Sequence, residues 1–209
     1  MTFSFTTWPF ISPKENHQIL KCCKYGLIAY ALNNNAVIFA EEFGHYTPLL
    51  TWAPFEHNIT AMAWYDASMT LNTAVPVLLL ASESGRLEVF DVRSRKPISR
   101  FKIDKNPPTT IPVFNPTING MGTVPSNSVK RENDYITSLV WSPFSSCSFF
   151  AGTKNGRLIR FDISLGQIVK CEIIWEICFN FEIHHISIEP QFGQVCAVAS
   201  RNGSIATIT

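Results

Sequence analysis

Short apolar runs separated by turn residues recur along this chain and predict β-hairpins. The clearest copy places the sequence SGRLEVFDV at 84–92 after an apolar run at 77–82. It returns as NGRLIRFDI at 155–163, again after an apolar run, at 148–153. Glycine supplies the positive φ angle that a two-residue hairpin turn needs, and serine or asparagine tolerates the position before it. The chain therefore repeats itself.

Two further copies extend the repeat toward both ends of the chain. A third hairpin is predicted at 195–205, around Asn202-Gly203, and a degenerate fourth at 27–39. Four hairpins indicate an array of similar structural units.

The second unit shows what one repeat contains. Strands are predicted at 59–64, 77–82, 86–92 and 97–103. Four strands in roughly 40 residues are typical of a β-propeller blade. No part of the chain shows the periodicity of an amphipathic helix. The predicted fold class is all-β, with four-stranded antiparallel blades.

The other units follow the same spacing. Strands are predicted at 136–141 and 167–174 around the third-unit hairpin, and at 183–188 before the last hairpin. The first unit is the weakest, with a hairpin within 25–40 and one further strand within 44–52. We predict a β-propeller of about four blades, two of them partial, which makes an incomplete or half propeller.

The composition changes between the second and third units. Five of the 13 prolines lie there, together with Asn, Thr, Ser and Gly, and this predicts a flexible insertion without a ladder of backbone hydrogen bonds. We expect the insertion to act as an interaction or regulatory loop. The predicted segments are an N-terminal arm at 1–24, blades one and two at 25–103, the insertion at 104–134, and blades three and four at 135–209, with the fourth incomplete.

Charge and hydropathy narrow the functional classes. The 209 residues are 46% hydrophobic, with 17 basic and 16 acidic residues and no concentrated basic face of the kind that nucleic-acid binders show. No apolar run reaches the length of a membrane span, and the N-terminus lacks a signal-peptide pattern. We expect a cytoplasmic protein whose partners are other proteins, with no nucleic acid and no membrane span.

The cysteine and histidine spacing gives little support to metal or redox chemistry. His184-His185 near Cys178 fits no zinc pattern, and adjacent strand residues face opposite sides of a sheet. The pair Cys22-Cys23 fits no redox motif. We expect reduced, buried cysteines, no metal ion, no cofactor and no catalytic residue.

Nine residues are predicted to have structural roles in the repeats. Asp91 and Asp162 are repeat-equivalent and are expected to close turns by accepting hydrogen bonds from backbone N–H groups. Trp64 and Trp141 are expected to fill the space between neighbouring sheets. The full set is Trp64, Gly85, Phe90, Asp91, Trp141, Gly156, Phe161, Asp162 and Gly203.

Two arginines also occupy equivalent positions, directly after the turn glycines. Arg86 and Arg157 can either pair with local carboxylates or point from one rim to a ligand. We expect surface ion pairs, which contribute little to stability.

The order of these features resembles the WD-repeat family of β-propellers. The resemblance rests on a strand that ends in the Trp-Ser-Pro sequence at 141–143, a small-residue strand, a turn glycine, and the Phe-Asp pairs at 90–91 and 161–162. It covers about 25–209 outside the insertion, with Phe-Asp where the family has Trp-Asp. The resemblance implies a propeller whose rims bind other proteins, and propellers of this family usually close with seven blades.

Three further stretches, at 25–30, 59–64 and 79–86, are similar to the start of a large family member that acts as a trafficking scaffold at the trans-Golgi network. This similarity implies vesicle trafficking as the setting, with a peripheral association to Golgi or endosomal membranes through a partner.

Two functional hypotheses stay open. The leading one is a non-enzymatic interaction scaffold, since propeller rims are built from loops, where binding residues concentrate. The alternative is a small-molecule-binding or catalytic propeller that uses its central channel, which requires titratable side chains on the innermost strands. Closure of the ring requires either that residues 1–10, with Phe3 and Phe5, pair with the last unit, or that the rest of a longer chain or another chain completes it.

Overall fold

The computed structural model of the protein describes residues 18–23, 26–65, 76–103, 110–115, 120–125, 132–142, 148–165, 169–189 and 196–208. Within these ranges the chain forms seventeen strands and no helix. The all-β prediction is therefore confirmed, and the described part of the chain offers no helix that could cross a membrane.

The first and second sheets each contain four antiparallel strands in chain order. The first sheet consists of β1 (Gln18–Cys22), β2 (Leu27–Leu32), β3 (Asn35–Glu42) and β4 (His45–Trp52). The second sheet consists of β5 (Ile59–Tyr65), β6 (Val77–Ser82), β7 (Arg86–Asp91) and β8 (Lys96–Lys102).

The third sheet has six strands and the fourth has three. The third contains β9 (Thr110–Asn115), β10 (Gly120–Pro125), β11 (Ile136–Trp141), β12 (Ser148–Thr153), β13 (Arg157–Leu165) and β14 (Val169–Cys178), in the spatial order β10-β9-β14-β13-β12-β11. The fourth contains β15 (His185–Ile188), β16 (Cys196–Ala199) and β17 (Ile205–Ile208).

Neighbouring sheets pack face to face around three hydrophobic cores. The first core lies between the first and second sheets, the second core between the second and third, and the third core between the third and fourth. Alternate side chains of a strand face opposite sides, so β6 sends Leu78 and Leu80 into the first core and Leu79 into the second. A sheet enclosed on both faces explains why this strand reads as a continuous apolar run rather than an alternating one.

A strand at one edge of each sheet contacts an edge strand of the next sheet. These contacts join β1 to β5, β5 to β11, and β11 to β15. These four edge strands lie side by side, with the other strands of each sheet farther out, which is the arrangement of propeller blades. We call β1, β5, β11 and β15 the inner strands. The sheets are therefore blade-like, and their contacts link them in series without demonstrating a closed ring.

The first sheet corrects the predicted N-terminal arm, which extends to residue 24. Its last part is β1, whose Leu20 pairs in register with Tyr30 of β2, and the Cys23 N–H donates to the Leu27 carbonyl at 2.9 Å. The first unit is therefore complete rather than partial. A strand of five residues that contains Lys21 shows too little alternation of apolar and polar side chains to be predicted from its own sequence. It is specified instead by its pairing with β2.

The insertion at 104–134 also differs from its prediction, because it contains the paired strands β9 and β10. Val113 of β9 further pairs with Cys178 at the end of β14, so the hairpin extends the third sheet at its outer edge. Proline is tolerated on edge strands and at strand ends, and Pro125 is the last residue of the edge strand β10. Proline content alone therefore did not exclude a backbone ladder here.

The fourth sheet ends the array at β17. Phe3 and Phe5, which are predicted to complete this unit, lie outside the described residues.

Candidate interaction surface

The three turn glycines of the predicted set occupy hairpin tips. Gly85, Gly156 and Gly203 have φ angles of 69°, 83° and 87°, in the region that side chains rarely adopt. Their surroundings differ. A methyl group added at Gly156 would collide with the carbonyl oxygens of Phe179 and Phe181, whereas the space around Gly203 is open.

The two equivalent tryptophans are buried, each in the core shared with the preceding sheet. Trp64 lies in the first core, and its Nε1–H donates to the Lys21 carbonyl at 2.8 Å. Trp141 lies in the second core, with its ring centroid 4.5 Å from that of Tyr65. Trp64 thus also ties the second sheet to β1.

The two equivalent phenylalanines stack in these same cores. Phe90 lies 4.3 Å from Trp52 between ring centroids, and Phe161 lies 4.9 Å from Phe149. Each ring is almost fully enclosed. Both residues therefore contribute to packing and are inaccessible to a partner.

The two equivalent aspartates have different partners. Asp91 Oδ1 accepts the Arg93 N–H at 2.8 Å, which closes the turn after β7. Asp162 Oδ1 instead accepts the Ser148 hydroxyl at 2.6 Å and lies 3.4 Å from Arg160 Nε. Both aspartates are expected to close a turn by accepting a backbone N–H, and this describes Asp91 but not the contacts of Asp162. The reason is that β7 ends at Asp91, whereas β13 continues past Asp162 to Leu165.

The equivalent arginines differ more strongly, and the surface ion pair expected of Arg157 is wrong. Its side chain is fully buried between two acidic side chains. Arg157 Nε donates to Glu176 Oε1 at 2.6 Å, and Nη1 donates to Asp134 Oδ2 at 3.0 Å. Asp134 also accepts the Asn155 N–H at 2.9 Å. Arg86, by contrast, is exposed.

This cluster of Arg157, Glu176 and Asp134 is a sealed internal network. All three side chains are fully buried, so no solute reaches them. Burial raises the pKa of Asp134 above its ordinary value, against the lowering effects of the Asn155 N–H and the Arg157 guanidinium. The network connects the segment just before β11 to the hairpin tip and to β14, and its role is structural.

The second sheet has its own buried charge, Glu88 on β7. Its Oε2 accepts a hydrogen bond from Arg100 Nε at 2.6 Å, and its Oε1 accepts one from Trp52 Nε1 at 3.4 Å. Arg100 keeps more than half of its side chain in water, while Glu88 is enclosed. This pair too leaves no carboxylate free for chemistry.

The candidate metal and thiol residues do not form a site among the described residues. His184 Nε2 lies 3.4 Å from Glu182 Oε2, and no group of three potential ligands is close enough to hold a metal ion in the described ranges. Burial, followed by the charges of Asp162 and Glu172, raises the pKa of Cys171 to about 12. A thiol that stays protonated near neutral pH is a poor nucleophile and a poor metal ligand.

The inner strands, on which the channel hypothesis requires titratable side chains, carry few such groups. Neither β5 up to Trp64 nor β11 has an ionisable side chain, while β1 has Lys21 and Cys22 and β15 has His185. These exposed groups lie on two different sheets and do not make a convergent site among the described residues.

Among the described residues, the outward face of the first sheet is the most apolar surface that the packing of the sheets leaves uncovered. Alternation along β1, β2 and β3 turns one set of side chains away from the first core. None of them belongs to any of the three cores, and Leu20 is 60% exposed. The members of this open apolar face are Leu20, Cys22, Ile28, Tyr30, Val37 and Phe39. Cys22 is exposed on it, which corrects the expectation of a buried thiol.

The fourth sheet presents an outward face of a different kind. The side chains turned away from the third core are polar or small, except for Ile205, which is 71% exposed. They are His185, Ser187, Ala197, Ala199, Ile205 and Thr207. The two ends of the array are therefore chemically distinct, and the first sheet has the greater tendency to be covered by another surface.

No protein-family model matches the chain, and no curated protein matches its sequence. The surfaces of the molecule therefore carry the functional argument.

Proposed function

We propose that the protein is a non-enzymatic scaffold that binds other proteins, and that the open apolar face of the first sheet is a binding surface. The observation that carries the proposal is a continuous set of apolar side chains turned away from every core. Apolar patches of this kind mark interaction sites, because their exposure to water is unfavourable. The enclosed charges and aromatic rings of the described residues support the same assignment, since they are not accessible to a substrate.

The finer assignment rests on the resemblance to the WD-repeat family. On that proposal the four sheets are propeller blades and the rims bind partners. Similarity to the first propeller of WD repeat-containing protein 11, a scaffold of the trans-Golgi network, supports vesicle trafficking as the setting and the cytoplasm as the compartment.

Completion of the propeller is part of this proposal. A further blade that packed against the open apolar face would cover it in the way that the second sheet covers the opposite face. The rest of a longer chain or another chain supplies that blade. The three strands of the fourth sheet leave β17 as a further edge at which a strand can add.

The experiment compares two substitutions of exposed apolar residues at opposite ends of the array. Leu20→Glu places a charge on the open apolar face, and Ile205→Glu places one on the outward face of the fourth sheet. Affinity purification from cell extract with mass spectrometry should recover a reproducible set of proteins with the wild-type chain. Leu20→Glu should deplete that set at least tenfold, and Ile205→Glu should leave it in place.

Circular dichroism and melting temperature must match the wild type for both variants, so that unfolding does not explain a loss of partners. Equal recovery with both variants would remove the open apolar face from the proposal. Absence of any partner with the wild type, together with a melting temperature raised by a metabolite, would favour the small-molecule hypothesis instead.

A further inference from the structure

The hairpin between β3 and β4 ends in a turn whose residue types conflict with its backbone. Phe43 has a φ angle of 53° and Gly44 one of 81°, while Glu42 and His45 pair on either side. A two-residue turn with both φ angles positive favours Asn-Gly or Asp-Gly. A bulky phenylalanine in the left-handed region is an outlier, because its Cβ crowds the backbone there.

Among the described residues, no packing contact of the Phe43 side chain offsets this unfavourable backbone conformation. Its side chain is 102% exposed and belongs to none of the three cores. The preceding turn of the same sheet places Asn33, with a φ angle of 56°, at the equivalent first position. Asparagine tolerates this conformation, so the same sheet shows the residue type that folding alone would favour. An unfavourable conformation at an exposed apolar side chain is a reason to consider a function outside the chain.

The surroundings of Phe43 define a surface of mixed character. Tyr46 and Leu49 on β4 are also exposed, at 51% and 37%. Glu41 and Glu42 lie just before the turn, and both are exposed. We call Glu41, Glu42, Phe43, Tyr46 and Leu49 the Phe43 tip. It combines three apolar side chains with two negative charges and contains no lysine or arginine.

We propose that the Phe43 tip is a docking anchor, which inserts Phe43 into an apolar pocket with a basic rim on a partner protein. The inference rests on the proposed scaffold function and specifies the chemistry of one partner. Aromatic side chains are the usual anchors of protein interfaces, because they bury a large area with few rotatable bonds. The two glutamates require positive charges around the pocket, since opposite potentials face each other across interfaces.

The same charges and exposures disfavour two other binding partners for the Phe43 tip. An anionic membrane surface attracts basic segments and repels Glu41 and Glu42. A second copy of this chain offers a basic hairpin tip at Arg93 to Lys96, but none of its exposed large apolar side chains lies in that hairpin, so it supplies charge without a pocket.

The key variant is Phe43→Asn, because folding and binding should respond in opposite directions. Asparagine relieves the left-handed strain, so the melting temperature should rise by about 2 to 4 °C. Binding of the partner should weaken at least tenfold. A residue that served only the fold would show a lower melting temperature on substitution, and a bystander would leave binding unchanged.

The partner is found by photo-crosslinking with p-benzoylphenylalanine in the full chain inside cells. Position 43 tests the tip, position 20 tests the open apolar face, and Arg201 in an exposed turn at the far end of the chain is the control position. The crosslinked peptide is sequenced, and the partner is then purified and titrated against wild type, Phe43→Asn and Glu41→Gln/Glu42→Gln. The glutamine variant should weaken binding and reduce its dependence on salt concentration.

The proposal predicts that position 43 forms an adduct with a protein, at an apolar site beside lysine or arginine. It also predicts that Phe43→Asn weakens binding of the purified partner. Adducts with lipid, with another copy of this chain, or with the same species as position 201 would overturn it. Adducts at position 20 alone would overturn it while leaving the proposed scaffold function intact. Adducts at neither position would contradict both.

Discussion

The second and third sheets carry the same Gly-Arg-Leu hairpin but use its arginine in opposite ways. Arg86 pairs in register with Lys102, a like charge, and stays in water. Arg157 pairs with Cys178, and the guanidinium reaches Glu176 two residues along the same strand. The fate of an arginine in a repeat is therefore set by the strand that pairs with it, and that strand is the less repeated part of the unit.

The two sheets also place their buried acid differently. In the second sheet the acid, Glu88, is on β7 and its cation, Arg100, is on β8. In the third sheet the cation, Arg157, is on β13 and the acid, Glu176, is on β14. The second pair keeps its cation partly in water, and the third encloses both charges.

The largest expected effect is that of Arg157→Ala compared with Arg86→Ala. Removing Arg157 leaves two carboxylates buried without their cation, which should lower the free energy of unfolding by about 3 to 5 kcal/mol. Arg86→Ala should change it by less than about 0.5 kcal/mol. Urea denaturation followed by tryptophan fluorescence measures both. Similar losses for the two variants would contradict the burial of Arg157.

If Arg157→Ala does not fold, the variant Arg157→Met with Glu176→Leu and Asp134→Asn keeps the comparison testable. It removes the buried charges together, so it should recover most of the stability.

The second prediction concerns the glycines before these arginines. Gly85→Ala should cost about 1 kcal/mol, because alanine is strained at a positive φ angle. Gly156→Ala should cost more, about 2 to 4 kcal/mol, since its methyl group also meets the carbonyl oxygens of Phe179 and Phe181. Thermal unfolding of the two variants in parallel tests this order. Equal costs would mean that the segment between β14 and β15 lies farther from the hairpin tip.

A smaller effect is expected for Glu88→Ile, which gives the second sheet the residue that the third has at the equivalent position, Ile159. The change removes a buried charge and frees Arg100 into water, but it also removes the acceptor of Trp52 Nε1. The net change in the free energy of unfolding should be within about 1 kcal/mol. A loss of 3 kcal/mol or more would show that the Glu88 pair stabilises the sheet as strongly as the Arg157 cluster.

The last prediction concerns the pH dependence of stability that the buried Asp134 gives to the third sheet. Because the folded-state pKa of Asp134 is raised above 3.8, the folded protein holds a proton that the unfolded chain has released at pH values between 3.8 and that raised pKa. Stability from this group therefore falls as pH rises through the window. Relative to Asp134→Asn, the wild type should lose stability by no more than about 1.4 kcal/mol per pH unit there. Parallel slopes for the two proteins would contradict the shift.

The hairpins could be predicted from the sequence because both of their signals are local. The turn glycines and the apolar runs beside them mark β6 with β7, and β12 with β13, within a residue or two of their bounds. The strand β1 and the hairpin of β9 and β10 could not be predicted in this way. Their pairing depends on edges that other strands offer, and Lys21 or Pro112 hides any local pattern.

The buried cluster was beyond sequence reasoning for a similar reason. Asp134 and Glu176 stand 23 and 19 residues from Arg157 on opposite sides of it in the chain. The repeat equivalence of Arg157 and Arg86 predicts a surface position for both, which is wrong for Arg157. A repeat preserves the position of the backbone but not the side chains that surround it. The open apolar face was also missed. Its side chains become a common surface only once the pairing of β1, β2 and β3 is known.

The serial packing of consecutive sheets has a consequence for synthesis on the ribosome. Every sheet is made from one continuous stretch of chain, and each core joins sheets that are adjacent in sequence. The first core is complete once Val92 has left the exit tunnel, before any residue of the third sheet is needed. At about 5 to 20 residues per second, translation gives the first two sheets seconds in which to dock. The nascent chain can thus acquire its structure in the order in which it is made.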